Sequence, residues 1–288
     1  MSLPPVFINL NLSPQFMYSQ GMQIGFYPDG QPYVKINNRN TQEDMKKSGV
    51  RVSCSITTPQ ELLILLQLSN ALDHLGVEKR ELHIPYLMGA RSDRLMSPGN
   101  SFDLQVIANL INLCGFKKVL LLDVHSDVAT ALIHRSENVN NNFLVRAYTQ
   151  DNAILICPDA GAAKKIPNYL SWNKNLKEVV YCIKHRNLTP GKISINVLQK
   201  EICTNKNCVI IDDICDGGTT FVEIAKQIRP KHLTLIVTHG IFSSGFSELE
   251  KYFQKIITTN SYLKGSWVKS EIVETICFTD LDFTLKVS

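Results

Sequence analysis

A chain of 288 residues, 44% of them apolar, is long enough for two domains, each with its own core. Its 30 Lys and Arg nearly balance its 26 Asp and Glu, a formal net charge of +4, too mild for a nucleic-acid protein but compatible with anionic small molecules. No basic run exceeds two residues, no apolar stretch approaches the ~20 residues of a membrane span, and the start MSLPPVFINLNLS lacks the cationic head and long apolar core of a secretory signal. The eight cysteines contain no C-x-x-C pair, which argues against zinc and for a reducing, cytoplasmic setting.

In chain order, the first 60 residues read as β-rich. Phe7–Leu10 is a candidate strand, Tyr33–Ile36 follows the turn Pro28-Asp29-Gly30 and so predicts a hairpin, and Val50–Ile56 alternates as a further strand. Pro59–Leu75 is a predicted helix, with Pro59 in its first turn and Leu62, Leu63, Leu66 and Leu68 expected on the buried side. Glu81–Leu87 is a strand running into Gly89-Ala90-Arg91-Ser92-Asp93-Arg94. Forked guanidiniums in that place suit phosphate oxygens, with Asp93 orienting one of them. A helix over Ser101–Cys114 follows, with Leu104, Ile107, Ala108 and Ile111 at helical spacing. The strand Lys118–Asp123 then leads into Val124-His125-Ser126-Asp127. Glu137–Asn142 is polar and reads as a connector, so the domains are expected to be 1–140 and 141–272, with Val273–Ile276 and the tail to 288 a candidate return to the first.

The second half opens on Ala153–Cys157, a strand that enters Pro158-Asp159-Ala160-Gly161, a turn placed to hold an anion before a helix. Glu178–Ile183 is a strand leading to Lys184-His185-Arg186. Residues two apart in an extended chain share a face, so Lys184 and Arg186 are expected to point at one site. The most informative stretch is Val209–Ala225. A β-branched run ends in Asp212 and Asp213, then Asp216, Gly217, Gly218, Thr219 and Thr220, then an apolar helical pattern. Glycines and the following helix start favour a phosphate, while the carboxylates suit sugar hydroxyls or a metal; together they point to a phosphorylated sugar. Cys215, flanked by carboxylates, has its thiolate disfavoured and is rejected as a nucleophile. His232–Thr238, Ile256–Thr259 and Glu271–Phe278 continue the strands, and Ser243, Ser244 and Gly245 are expected to start a helix over Phe246–Phe253. The pattern predicts an α/β protein of two doubly wound parallel-sheet domains, with ligands at the carboxyl ends of the strands.

From about Tyr27 to Gly245, these motifs resemble, in order, those of the ribose-phosphate pyrophosphokinases, the phosphoribosyl-diphosphate (PRPP) synthetases. The fold implied is the type I phosphoribosyltransferase-like one. Gly25–Gln31 is similar to the loop that reaches a neighbouring subunit's nucleotide site. That implies Tyr27 stacking on adenine, polar contacts from Asp29, Gly30 and Gln31, and a homo-oligomer, dimer or hexamer, with an intersubunit ATP site. Gln31 stands where that family has Glu, and Ser92 where it has Gln. The resemblance further implies that Arg91 and Ser92 hold the triphosphate and that His125 and Asp159 are linked to Mg²⁺. Lys184 and Arg186 would be the catalytic cations at the start of a mobile loop, and Asp212, Asp213, Asp216, Gly217, Gly218, Thr219 and Thr220 would bind ribose 5-phosphate. The implied reaction moves the β,γ-pyrophosphate of ATP to the anomeric hydroxyl of ribose 5-phosphate. One departure is Gly217, where the family has Thr. It opens the loop and leaves a larger acceptor such as ADP-ribose, for NAD salvage, as an alternative. A non-catalytic subunit regulating a synthetase and a type I phosphoribosyltransferase are two more.

Overall fold

The structure, a computed structural model, describes residues 4–11, 21–186, 193–262 and 270–277, without the side chains of His185, Arg186 and Ile193. The chain divides into two compact units, Met1–Val139 and Asn140–Ser288.

In the first unit the order is β1 (Val6–Asn9), β2 (Met22–Phe26), β3 (Pro32–Ile36), α1 (Arg39–Ser48), β4 (Val50–Ser53), α2 (Pro59–Leu75), β5 (Arg80–Ile84), α3 (Asp103–Leu113), β6 (Lys118–Leu122), α4 (Val128–Leu132) and β7 (Ser136–Val139). Five strands form a parallel sheet in the order β1-β4-β5-β6-β7, and β2 and β3 form a separate antiparallel hairpin. The helix α2 begins where Thr58 and Glu61 cap each other's backbone across a capping box and Pro59 takes the first helical position. It ends at Gly76, whose φ of 73° is the left-handed C-cap. Its buried face is Leu62, Leu65, Leu68 and Leu72. Leu63, expected inside, is 42% exposed, because a leucine-rich helix offers several apolar phases and packing selects one. The first part of the polar run after Ser136 is a strand, and the boundary between the two units falls just after it. Ser136–Val139 pairs in parallel with β6 as the edge strand of this sheet, where Glu137 faces solvent.

The second unit contains α5 (Asn142–Tyr148), β8 (Ala153–Cys157), α6 (Ala160–Ala163), α7 (Ile166–Trp172), β9 (Leu176–Arg186), β10 (Ile193–Val197), β11 (Asn207–Cys215), α8 (Thr219–Ala225), β12 (His232–Gly240), β13 (Lys255–Thr259) and β14 (Val273–Ile276). Its sheet runs β10-β9-β8-β11-β12-β13-β14, parallel except for the β9–β10 pair. Both faces are covered, which is why these strands are continuously apolar. Ile210, Leu235 and Val237 pack with Ile224 and Phe253 in one cluster, while Val209, Ile211, Ile236 and Ile257 pack with Tyr169 in another. Val273–Ile276 does not return to the first unit; it pairs in parallel with β13 at the edge of this second sheet, and 278–288 lie outside the described residues. The helix expected over Phe246–Phe253 is instead a series of turns. Chain order reverses around β8: β9 lies on one side of it and β11 on the other. Such a reversal leaves a crevice at the carboxyl ends of the two strands.

Candidate functional site

Asp159, just after β8, and Asp212 and Asp213 toward the end of β11, with the 216–220 loop that follows it, lie at that crevice. Asp159 caps α6: its Oδ1 accepts from the backbone N–H groups of Gly161 (2.9 Å) and Ala162 (3.0 Å). Its other oxygen, Oδ2, lies 3.8 Å from the Lys184 Nζ, and the same ammonium donates to Thr220 Oγ1 at 3.1 Å. Lys184 comes from β9, so three strands deliver an acid, a cation and a loop hydroxyl to one spot. Its side chain is only 18% exposed. An open concavity of about 690 Å³ lies alongside, lined by Asp159, Gly161, Tyr181 and Lys184 among others.

The loop itself is built by glycine. Gly218 takes φ +79° at the N-cap of α8, and a Cβ there would come within 3.2 Å of Leu249. A left-handed alanine costs about 1–2 kcal/mol. Gly218→Ala is therefore expected to lower the free energy of urea unfolding by about that much, and no change in midpoint would contradict this account of the loop. The loop is also braced from outside. The N–H groups of Ile241 and Phe242 both donate to the Cys215 carbonyl, and the Ser243 hydroxyl donates to Asp216 Oδ1 at 2.6 Å. Sequence reading missed this brace, because Ser243 lies 27 residues from its partner and carries no local signal.

Asp212 is partly accessible and Asp213 is buried, 7% exposed. Desolvation, the Asp213 charge and hydrogen bonding, and the charge of Asp159 hold the Asp212 carboxyl well above the usual carboxylate range, against the opposing Asp213 N–H bond at 2.9 Å. Carboxylates crowded to that degree favour a cation among them, and oxygen donors fit a hard ion such as Mg²⁺. Among the described residues no group of three or more His, Cys, Asp and Glu forms a metal site by itself. Magnesium fits here only with substrate oxygens and water completing its shell, its usual manner of binding. The Cys215 thiol is pushed up by burial and by the charges of Asp212 and Asp216, which agrees with its rejection as a nucleophile. The Arg186 side chain and residues 187–191, where the mobile loop is expected, lie outside what the structure describes.

In the first unit, a second polar group forms at the ends of β5 and β6. Asp93 Oδ1 holds the Arg94 Nε at 2.9 Å, so the arginine that Asp93 orients is its neighbour. Partial burial alone would raise the Asp93 carboxyl. Hydrogen bonds with Ser126 and Arg94 and the charges of Arg94 and His125 outweigh it and hold the carboxyl below its usual range. Arg91 and His125 are exposed, and Ser92 is half-buried, its N–H held by the Gly89 carbonyl at 2.8 Å. The hairpin tip is built by Asp29 and Gly30. Asp29 Oδ1 accepts from the Gln31 N–H at 3.0 Å, and Gly30 takes φ +86°. Tyr27 is 53% exposed, with its ring centroid 5.1 Å from that of Tyr33. Tyr27 and Gln31 also line a groove of about 660 Å³ against α2, with Gln67, Asn70 and His74.

No protein-family model matches the chain. It is 25% identical over 253 residues to the ribose-phosphate pyrophosphokinase of Pyrococcus furiosus, covering 83% of this chain and 85% of that one. It is 27% identical over 240 residues to that of Mycoplasma pneumoniae, covering 80% and 70%. The crystal structure of the phosphoribosylpyrophosphate synthetase from Mycobacterium smegmatis superposes with a TM-score of 0.77 over 96% of this chain and 95% of that one, at 16% identity. Over most of its length the chain is thus similar to ribose-phosphate pyrophosphokinases. Its fold is the α/β, type I phosphoribosyltransferase-like one of the PRPP synthetases. Neither pyrophosphokinase relative is named for ADP-ribose or NAD chemistry, and those alternatives are not favoured. Among the described residues no helix is long and apolar enough to cross a membrane.

Proposed function

We propose that the protein is a diphosphotransferase that moves the β,γ-pyrophosphate of ATP to the anomeric hydroxyl of ribose 5-phosphate, giving PRPP and AMP. The observation that carries this reading is Lys184, held between Asp159 and Thr220 beside the acidic loop. An ammonium in that place neutralises charge on a migrating diphosphoryl group, where a phosphoryl-transfer enzyme needs positioning and electrostatics more than covalent chemistry. Arg186 is proposed as its companion cation. Asp212 and Asp213 take ribose hydroxyls, and Asp216 through Thr220 take the 5-phosphate. In the first unit, Arg91 and Ser92 take the triphosphate, and Tyr27 and Gln31 the nucleoside. Magnesium would supply charge neutralisation; Asp159 is the residue proposed to hold it in the second unit and His125 the one proposed in the first. A homo-oligomer and a cytoplasmic setting belong to the same reading. All eight cysteines are free, seven of them buried, which suits a reducing compartment.

Mass spectrometry of products from ATP, Mg²⁺ and a panel of ribose phosphates tests the reaction: AMP and PRPP in equal amounts are expected, and absence of AMP with every acceptor contradicts it. The nucleotide assignment has its own check. Tyr27→Ala is expected to raise the KM for ATP about ten-fold, the range of a lost base–aromatic stack, while leaving the KM for ribose 5-phosphate unchanged. Equal rises in both would refute stacking.

A further inference from the structure

Position 217 has no side chain, yet its surroundings are polar. A Cβ at Gly217 would lie 3.2 Å from Ser244 Oγ and 3.9 Å from Ser243 Oγ. The φ of Gly217 is not in the left-handed region, so backbone conformation does not require glycine here. What stands in the space is a hydroxyl from another segment.

The two serines are not equivalent. Ser243 is committed to the loop: its hydroxyl donates to Asp216 Oδ1 at 2.6 Å and its N–H to the Asp216 carbonyl at 3.2 Å. Ser244 is exposed and has no side-chain partner among the described residues. The turn that carries it is nonetheless firmly placed. Phe242 sits at φ +47°, a costly conformation for a bulky residue, with its ring buried 4.7 Å from that of Phe246. Its N–H and that of Ile241 both donate to the Cys215 carbonyl, and the Gly245 N–H closes the turn onto the Phe242 carbonyl at 2.9 Å. Gly240 keeps room for the ring, since a Cβ there would lie 2.2 Å from it. Backbone strain and three hydrogen bonds therefore hold an unpartnered hydroxyl beside a loop position that lacks a side chain.

We propose that Ser244 is a ligand of the sugar phosphate, its hydroxyl delivered from the β12–β13 connection into the place a side chain at 217 would occupy. The inference rests on the reading of 216–220 as the sugar-phosphate cradle and adds a second segment to it. Ser243 serves the same end indirectly. By donating to Asp216 it engages a carboxylate oxygen that would otherwise repel the phosphate.

Isothermal titration of the full-length protein with ribose 5-phosphate and, separately, with ATP tests this. Ser244→Ala is expected to weaken ribose 5-phosphate binding about ten-fold, the loss of one hydrogen bond to a charged group, with ATP affinity within two-fold. Ser244→Thr keeps the hydroxyl and is expected to bind as the natural protein does. Gly217→Thr in the Ser244→Ala background is expected to recover most of the loss, because the threonine hydroxyl then enters the vacated space. Gly217→Thr alone brings no gain, since its Cβ meets Ser244. If the natural protein binds ribose 5-phosphate and Ser244→Ala binds it equally well, the role of Ser244 is overturned and the function stands. If Ser244→Ala weakens both ligands alike and lowers the melting temperature, the serine is structural and the proposal fails. If the natural protein neither binds ribose 5-phosphate nor makes AMP, the functional reading fails and takes this one with it.

Discussion

Lys184→Ala is expected to lower kcat about a thousand-fold while changing the KM of ATP and of ribose 5-phosphate by no more than a few-fold. Loss of one preorganised donor at the point where charge develops costs about 10²–10³ in rate. Lys184 stands at the upper end because its ammonium is fixed before substrate arrives, by Asp159 at 3.8 Å and Thr220 at 3.1 Å. An interaction made mainly in the transition state shows itself in kcat. Lys184→Arg is expected to recover only part of the rate, since a planar fork does not reproduce a compact charge. Rapid-quench measurement of a single turnover, which isolates chemistry from product release, checks this. A Lys184→Ala enzyme with normal single-turnover rate removes the residue from the reaction.

Asp212→Asn is expected to lower kcat/KM for ribose 5-phosphate about a hundred-fold and to make the ligand-free protein more stable. Asp212 is held well above the ordinary carboxylate range by desolvation and by Asp213 and Asp159, so its ionised form is disfavoured in the fold. A raised folded-state pKa means that the native protein binds a proton the unfolded chain releases. Its contribution to stability is then present at low pH and lost as pH rises through the raised value. The amide removes the repulsion and still accepts the Asp213 N–H bond now made by Oδ1 at 2.9 Å. The gain is on the order of 1 kcal/mol, or about 2–4 °C in melting temperature for a domain of 150–250 residues. Activity runs the other way. In the proposed reaction the ionised form takes sugar hydroxyls and cation, so the acid limb of kcat/KM is expected above the ~4 of a free carboxylate and absent in the variant. Calorimetry at two pH values and a pH–rate profile check the two halves. Destabilisation by Asp212→Asn at neutral pH contradicts the electrostatic account.

Val209–Ala225 is the most legible stretch in sequence, because its signals are local. Val209–Ile211 ends in carboxylates and glycines within a few residues, so strand, acidic corner and helix start follow from neighbours alone. Pro59–Leu75 is equally legible, since Pro59 marks its first turn and leucines recur at helical spacing along it. The misreadings have physical causes. Ser136–Val139 is an edge strand, and polar edge strands look like loops. Phe246–Phe253 has a helical apolar pattern but packs as turns: its phenylalanines and Leu249 anchor a segment whose entry is fixed by Phe242 and Gly245 in left-handed conformations. Val273–Ile276 pairs with β13, a partner that no local pattern names. In the site, individual residues were readable and their partners were not. That Lys184 meets Asp159 and Thr220, and Ser243 meets Asp216, depends on contacts across 25 to 36 residues of chain.

The most direct test of the account follows the β-phosphorus. ATP labelled separately at the β and the γ phosphorus is incubated with Mg²⁺ and ribose 5-phosphate, and label in the sugar product is measured. Diphosphoryl transfer predicts that both labels reach the sugar and neither remains with the nucleotide, which leaves as AMP. Transfer of the γ label alone, with the β label retained in ADP, would contradict it.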